Sequence, residues 1–147
     1  MKRVWGIAAF IALMLGAAPA FAHHMAVVVD KDNHANEISS AHLAKIIRGE
    51  SKKWPDGHDV ALVLHQSSPM EAQTIEHLTK MSASEWNSFV ETHKSSIVFV
   101  DSDADLLKQV ESTPGAIGLV EARSINDQVN VLKVDGKLPL EAGYLPH

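Results

Sequence analysis

Short apolar segments recur along the chain, each followed by a turn or a helical pattern, and they constrain the fold more than any other feature. Four of them contain no charged residue and span residues 26–29, 60–64, 97–100 and 116–120. Continuous rather than alternating apolar strands are typical of a sheet that is covered on both faces. A further strand is predicted over residues 129–134. Strands that alternate with helices predict an α/β three-layer sandwich with a mostly parallel sheet.

Helices are predicted between these strands, because serines that can cap a helix precede apolar residues at helical spacing. The predicted starts are Ser39 or Ser40, Ser68, Ser82 and Ser102. Ser68 and Ser82 each open an S-x-x-E capping box. Trp86 lies on the apolar side of the third helix and is expected in the core.

The first residues have the pattern of a cleavable secretory signal peptide. Lys2 and Arg3 precede an apolar run over residues 4–15, and Ala20-Phe21-Ala22 gives an A-x-A cleavage site before His23. The alternative is an uncleaved anchor, but the apolar run is shorter than the ~20 residues that span a bilayer. We therefore expect residues 1–22 to be a signal peptide and residues 23–147 to form a single soluble domain in the periplasm.

Composition excludes several classes of function. Without Lys2 and Arg3 the mature chain has 11 basic and 18 acidic residues, a formal charge of 11 − 18 = −7. Nucleic acid is therefore not expected as a partner. The chain has no cysteine, so disulfides, thiol chemistry and thiolate metal sites are excluded.

The junction between the second strand and its helix allows two interpretations. Residues 64–78 read LHQSSPMEAQTIEHL, so a strand end runs through a histidine and two serines into a helix. A helix N-terminus offers unpaired N–H groups and a positive dipole end, and nearby hydroxyls can complete an oxyanion site. The same residues also form a capping box with Pro69 at the first helical position, which needs no ligand.

The order of motifs between residues 26 and 135 carries a family resemblance. The motifs are AVVV at 26–29, L-x-x-I-I-x-G at 43–49, W-x-D-G at 54–57, a strand into Ser67-Ser68, and TPGAIG at 113–118. This succession resembles the phosphate-binding subunits of bacterial ABC importers, which belong to the type II periplasmic binding protein superfamily. The length matches a small member with a single lobe. The resemblance implies a solute-binding-like protein that binds phosphate or a related small oxyanion for an ABC-type import system.

Resemblance and position together select five candidate ligand-binding residues. They lie at the predicted carboxyl ends of strands, where α/β sheets bind ligands, and they are His65, Gln66, Ser67, Ser68 and Ser102. The family's loop has an arginine before its Ser-Gly-Thr, whereas His65 stands at the corresponding place here. Histidine carries a positive charge only when protonated. Glu71 at the helix start would also repel an anion. Weak binding is expected, because a single lobe cannot enclose the anion and no arginine is present.

Other functions remain open at this point. A lobe of this fold can also be an interaction or sensor module that docks on a membrane partner, such as an inner-membrane transporter or sensor. Nine histidines raise periplasmic metal binding as a weaker alternative, with His23-His24 the best candidate, although none forms an i, i+4 pair. No catalytic motif is present, so we expect neither an enzyme nor a cofactor, and no catalytic or metal-ligating residue is assigned.

Overall fold

A computed structural model describes residues 24–146. The predicted signal peptide and His23 therefore lie outside the described residues. The strands are β1 (Met25–Asp30), β2 (Glu37–Ile38), β3 (Ala61–His65), β4 (Ile97–Val100), β5 (Ala116–Glu121), β6 (Val129–Val131) and β7 (Lys133–Val134). The helices are α1 (Ser40–Ile47), α2 (Pro69–Thr79), α3 (Ala83–His93) and α4 (Asp103–Ser112), with 3-10 turns at Lys94–Ser96 and Ala122–Ser124.

The main sheet has the strand order β4-β3-β5-β1-β6. Strands β3, β4 and β5 are parallel, whereas β1 is antiparallel to both of its neighbours, β5 and β6. All strands of this sheet except β1 therefore run in the same direction. The prediction of a mostly parallel sheet is confirmed.

Both faces of this sheet are covered, as the continuous apolar strands predict. Helices α1, α2 and α3 cover one face, and Ile47, Ile75 and Trp86 belong to the apolar core on that side. Helix α4 covers the other face with Leu106 and Val110, which are fully buried. The three-layer sandwich is thus confirmed, and so is the burial of Trp86, which is 9% exposed.

The serine caps predicted from the sequence are present, but the capping box predicted at Ser68 is only half formed, because Glu71 accepts from the His65 N–H and not from the Ser68 N–H. The hydroxyl of Ser39, not Ser40, accepts from the His42 N–H, which settles the start of α1. Ser82 and Glu85 form the reciprocal capping box of α3. Gly118 allows close packing between β5 and α4, because a Cβ there would lie 2.8 Å from Leu106 Cδ2.

The prediction of one strand over residues 129–134 is wrong. Residues Val129–Val131 pair with β1 in the main sheet, whereas Lys133–Val134 pairs with β2 in a separate two-stranded sheet. Leu132 between them is fully buried, and its N–H donates to the Val27 carbonyl at 3.0 Å. Val129, Leu132 and Val134 are all buried, so the apolar pattern continues through this position and does not reveal the change of partner.

Candidate functional site

The loops after β3 and β4 lie side by side at one edge of the sheet. These strands are parallel neighbours, and His65 is in register with Val100. The Gln66 N–H continues the pairing by donating to the Val100 carbonyl at 3.1 Å. Helices α2 and α4 begin directly after these loops. The structure thus brings the five candidate residues to the same edge, although Ser102 is distant from the other four in sequence.

Two of the candidate hydroxyls cap helices. Ser68 Oγ accepts from the Glu71 N–H at 3.2 Å, and Ser102 Oγ accepts from the Asp105 N–H at 3.1 Å. A hydroxyl that accepts a hydrogen bond still keeps its own proton as a donor. Capping and ligand contact are therefore compatible at both positions.

His65 is the last residue of β3, and both of its ring nitrogens have partners. Nδ1 lies 3.0 Å from Asp103 Oδ1, and Nε2 lies 3.1 Å from Ser67 Oγ. The side chains of His65 and Asp103 are 16% and 18% exposed. A doubly protonated ring would donate to both partners, since a carboxylate and a hydroxyl oxygen can each accept. The His65 ring is therefore held between the first residue of α4 and the loop that precedes α2.

Ser67 and Gln66 connect the loop after β3 to Asp101, which follows β4. Ser67 Oγ donates to the Asp101 carbonyl at 3.4 Å, and Gln66 Nε2 donates to Asp101 Oδ1 at 2.8 Å. Gln66, Ser67 and Asp101 are all exposed. This part of the loop is therefore reachable from solvent, although Gln66 Nε2 and Ser67 Oγ already have internal partners.

Asp103 is a residue of the candidate site that sequence reasoning missed, because its position also fits turn and cap chemistry. Its second oxygen, Oδ2, accepts from Ser124 Oγ at 2.8 Å and from the Glu121 N–H at 3.2 Å. These bonds fix the carboxylate at the end of β5 while it faces His65. Only the strand order brings residues 65, 103 and 121 together, so no local motif signals the contact.

Glu71 is buried behind the loop, with 3% of its surface exposed. Its Oε2 accepts from the His65 N–H at 2.8 Å, whereas Oε1 is buried without a partner. Burial raises the pKa of Glu71 well above its ordinary value, against the lowering effect of the His65 hydrogen bond, and the charge of Asp103 adds to the rise. The neutral carboxyl therefore persists to higher pH, which weakens the repulsion of anions expected from the sequence.

The buried carboxyl gives a testable pH dependence of stability. The native state holds the Glu71 proton more tightly than the unfolded state. The stability that this proton contributes is therefore complete below the unfolded-state pKa of 4.5, and it is lost as pH rises towards the higher folded-state pKa. Glu71→Gln keeps an acceptor for the His65 N–H and cannot ionise. We expect urea unfolding midpoints of wild type and Glu71→Gln to converge at about pH 4, and the variant to be the more stable at about pH 8.

Glu76→Gln, on the same helix α2, is the matched control for this prediction. Glu76 is only partly buried, so its replacement should leave the pH profile of stability close to that of wild type. If the profiles of wild type and Glu71→Gln run parallel, ionisation of Glu71 is not coupled to folding.

The histidines within residues 24–146 do not gather into a metal site. No group of three or more His, Asp or Glu side chains with the arrangement of such a site occurs in that range. His24 Nδ1 lies 3.2 Å from the Pro139 carbonyl, and its proposed metal partner His23 lies outside the described residues. Among the helices of that range, none has the length and apolar character needed to cross a membrane.

Comparison with known proteins identifies the fold. No family model matches the sequence, and no curated protein matches it. An ABC-type phosphate transport receptor from Vibrio cholerae matches with a TM-score of 0.66 and 18% identity, over 79% of this chain and 48% of the receptor. A putative phosphate ABC transporter substrate-binding protein from Clostridium perfringens, solved with bound phosphate, matches with a TM-score of 0.66 and 18% identity, over 79% and 46%.

A third structure agrees with these two. PstS from Borrelia burgdorferi has a TM-score of 0.64 and 20% identity, over 79% of this chain and 49% of its own. This chain therefore spans about half the length of the solved proteins that it matches. At this identity the likeness concerns the fold: the described part of the chain has the architecture of one lobe of the PstS-like periplasmic binding proteins.

Proposed function

We propose that this chain is an exported, non-enzymatic solute-binding protein that binds phosphate or a related small tetrahedral oxyanion for an ABC-type import system. The anion would lie at the loop of His65, Gln66, Ser67 and Ser68, with Ser102 beside it. Export to the periplasm is part of the proposal. It is supported by the N-terminal sequence pattern and by the periplasmic class of the structural neighbours.

One observation carries the proposal. Helices α2 and α4 begin next to each other at the ends of paired parallel strands, and the His65 side chain lies between them. Each helix start contributes a positive dipole end and unpaired N–H groups, which attract an anion. The edge beyond the carboxyl ends of parallel strands is also the usual ligand position in α/β sheets.

The same geometry predicts weak binding. Asp103 already occupies one side of the His65 ring, so an anion must compete with a carboxylate of the protein itself. Pro69 at the first position of α2 has no N–H to donate. We therefore expect dissociation constants for phosphate and sulfate in the millimolar range, about −4 kcal/mol of binding free energy.

Ser67 offers a clean test, because its hydroxyl caps no helix. Calorimetric titration with phosphate should show about fivefold weaker binding to Ser67→Ala, since a neutral hydrogen bond contributes about 1 kcal/mol. Ser84→Ala, at an exposed position in the first turn of α3, is the matched control and should bind as wild type does. Titrations with sulfate are made in parallel. An effect of pH on affinity that appears with both anions comes from protonation of the protein and not from protonation of phosphate.

Absence of both phosphate and sulfate binding at millimolar concentration would refute the proposal. The expectation of a docking or sensor module of the same fold would then take its place. If wild type and Ser67→Ala bind phosphate with equal affinity, the anion does not contact Ser67, and the proposed place of the site is wrong even if an anion binds.

A further inference from the structure

A cleft opens beside the loop, between helices α2 and α3 and the end of the sheet. Its volume is about 330 Å³, within the range of about 300–1,000 Å³ typical of small-molecule sites. The larger apolar side chains of its wall are Leu64, Ile75, Trp86, Val90 and Phe99. Inorganic phosphate has no apolar surface, so this wall would contribute nothing to its binding.

The cleft and the loop share residues. His65, Gln66 and Ser68 belong to the proposed oxyanion site and also line the cleft. A ligand whose head contacts the loop can therefore extend directly into the cleft. The two features form one continuous surface at the start of α2.

An unsatisfied buried group lies in the same wall. Glu71 lines the cleft, and its Oε1 is the buried side-chain atom without a hydrogen-bond partner among the described residues. Such a group costs free energy unless a partner reaches it. A polar atom of a bound ligand would supply that partner.

We infer that the ligand of this site is an organic oxyanion, with its anionic head at the loop and an apolar substituent in the cleft against Trp86 and Phe99. This inference deepens the proposed function and rests on it. A phosphonate or phosphate ester with a small hydrocarbon group has the required chemistry. The ligand accepts hydrogen bonds at its head, including one from the protonated Glu71 carboxyl.

The buried Glu71 carboxyl favours a hydrogen-bond acceptor over a cationic head. Burial keeps Glu71 neutral to higher pH by raising its pKa, and a neutral carboxyl can donate through Oε1. Lys94 lies at the rim and pairs with Glu91 at 3.3 Å. His65, the remaining ionisable group of the lining, faces Asp103 on α4.

Titration with a matched series of probes tests the inference. Inorganic phosphate tests the proposed oxyanion site alone, and methylphosphonate and phenylphosphonate share one head but differ in apolar surface. Benzylamine has the same ring with a cationic head. We expect phenylphosphonate to bind about tenfold more tightly than methylphosphonate, because burial of part of the ring contributes ~1.4 kcal/mol. Benzylamine should bind more weakly than phenylphosphonate.

Filling the cleft should remove the advantage of the ring. Ala72 lines the cleft, so Ala72→Leu should reduce phenylphosphonate affinity to that of methylphosphonate and leave phosphate affinity unchanged. Ala83→Leu, at an exposed position of α3 outside the cleft lining, is the control and should change neither.

The outcomes separate the two proposals. If phosphate binds but phenylphosphonate binds no more tightly than methylphosphonate, the cleft inference fails and the oxyanion function stands. If phosphate and both phosphonates fail to bind, the proposed oxyanion function is wrong, and so is the inference that rests on it. Benzylamine binding as tight as that of phenylphosphonate would overturn the inference, because the cleft would then select the ring without an oxyanion.

Discussion

Gly115→Ala should destabilise the protein by at least ~3 kcal/mol, one of the largest effects of a single methyl group in this fold. Gly115 has a φ of +80°, which L-residues adopt at a cost, and an added Cβ would lie 2.0 Å from the Asp59 carbonyl oxygen. That contact is with backbone, so no side-chain rotation relieves it. The loss should appear as a lower urea midpoint or as failure to fold.

The surroundings of Gly115 prevent the backbone from moving away. Its carbonyl accepts from Trp54 Nε1 at 2.8 Å and from the Ala61 N–H at 3.0 Å. Its N–H donates to the buried Asp30 side chain at 3.1 Å. Any shift that accommodates a methyl group would weaken bonds on both sides of the residue.

Gly57→Ala is the matched control, because Gly57 has a φ of +93° and a Cβ added there would meet no atom within 4 Å. The Gly57→Ala variant should lose only the free energy of placing an L-residue at positive φ, which is about 1–2 kcal/mol. If both variants lose the same free energy of unfolding, the Asp59 carbonyl does not limit the space at Gly115. The close packing described at the start of β5 would then be wrong.

Local patterns predict the elements of this fold well. The capping box of α3 and the burial of Trp86 follow from spacing alone, since both depend on residues within one or two helical turns. The continuous apolar strands predict the two covered faces for the same reason. In TPGAIG, Gly115 follows Pro114 to form a dipeptide that is typical of turns, and it has a positive φ.

Features that depend on the order of the strands could not be predicted from the sequence. The reversed direction of β1 and the change of sheet at Leu132 leave no local trace, because a buried strand is apolar whichever neighbour it pairs with. The contact of His65 with Asp103 joins two loops 38 residues apart. The burial of Glu71 was also missed, since a glutamate in the first turn of a helix is ordinarily explained by its dipole.

Asp103→Asn is expected to strengthen oxyanion binding by about tenfold, which corresponds to ~1.4 kcal/mol. The asparagine removes the negative charge that faces His65 Nδ1 at 3.0 Å. Its amide oxygen can still accept from Ser124 Oγ and the Glu121 N–H, which leaves the amide nitrogen, a donor, facing His65 in place of the charged acceptor. An anion would then take the place of the carboxylate as the charged partner of His65.

Asp105→Asn provides the control for net charge. Asp105 is exposed in the same first turn of α4, and its N–H bonds to Ser102 Oγ as part of the cap. The substitution changes the charge by the same amount without touching His65. It should alter affinity less than about threefold, because exposed charges are screened by solvent and salt.

Isothermal titration of wild type, Asp103→Asn and Asp105→Asn with phosphate and with sulfate tests the central claim most directly. All titrations are made at one pH and one ionic strength, so the comparison isolates the carboxylate charge that faces His65. We predict millimolar binding to wild type and Asp105→Asn, and about tenfold tighter binding to Asp103→Asn for both anions. Unchanged or weaker binding to Asp103→Asn would contradict an oxyanion site at His65.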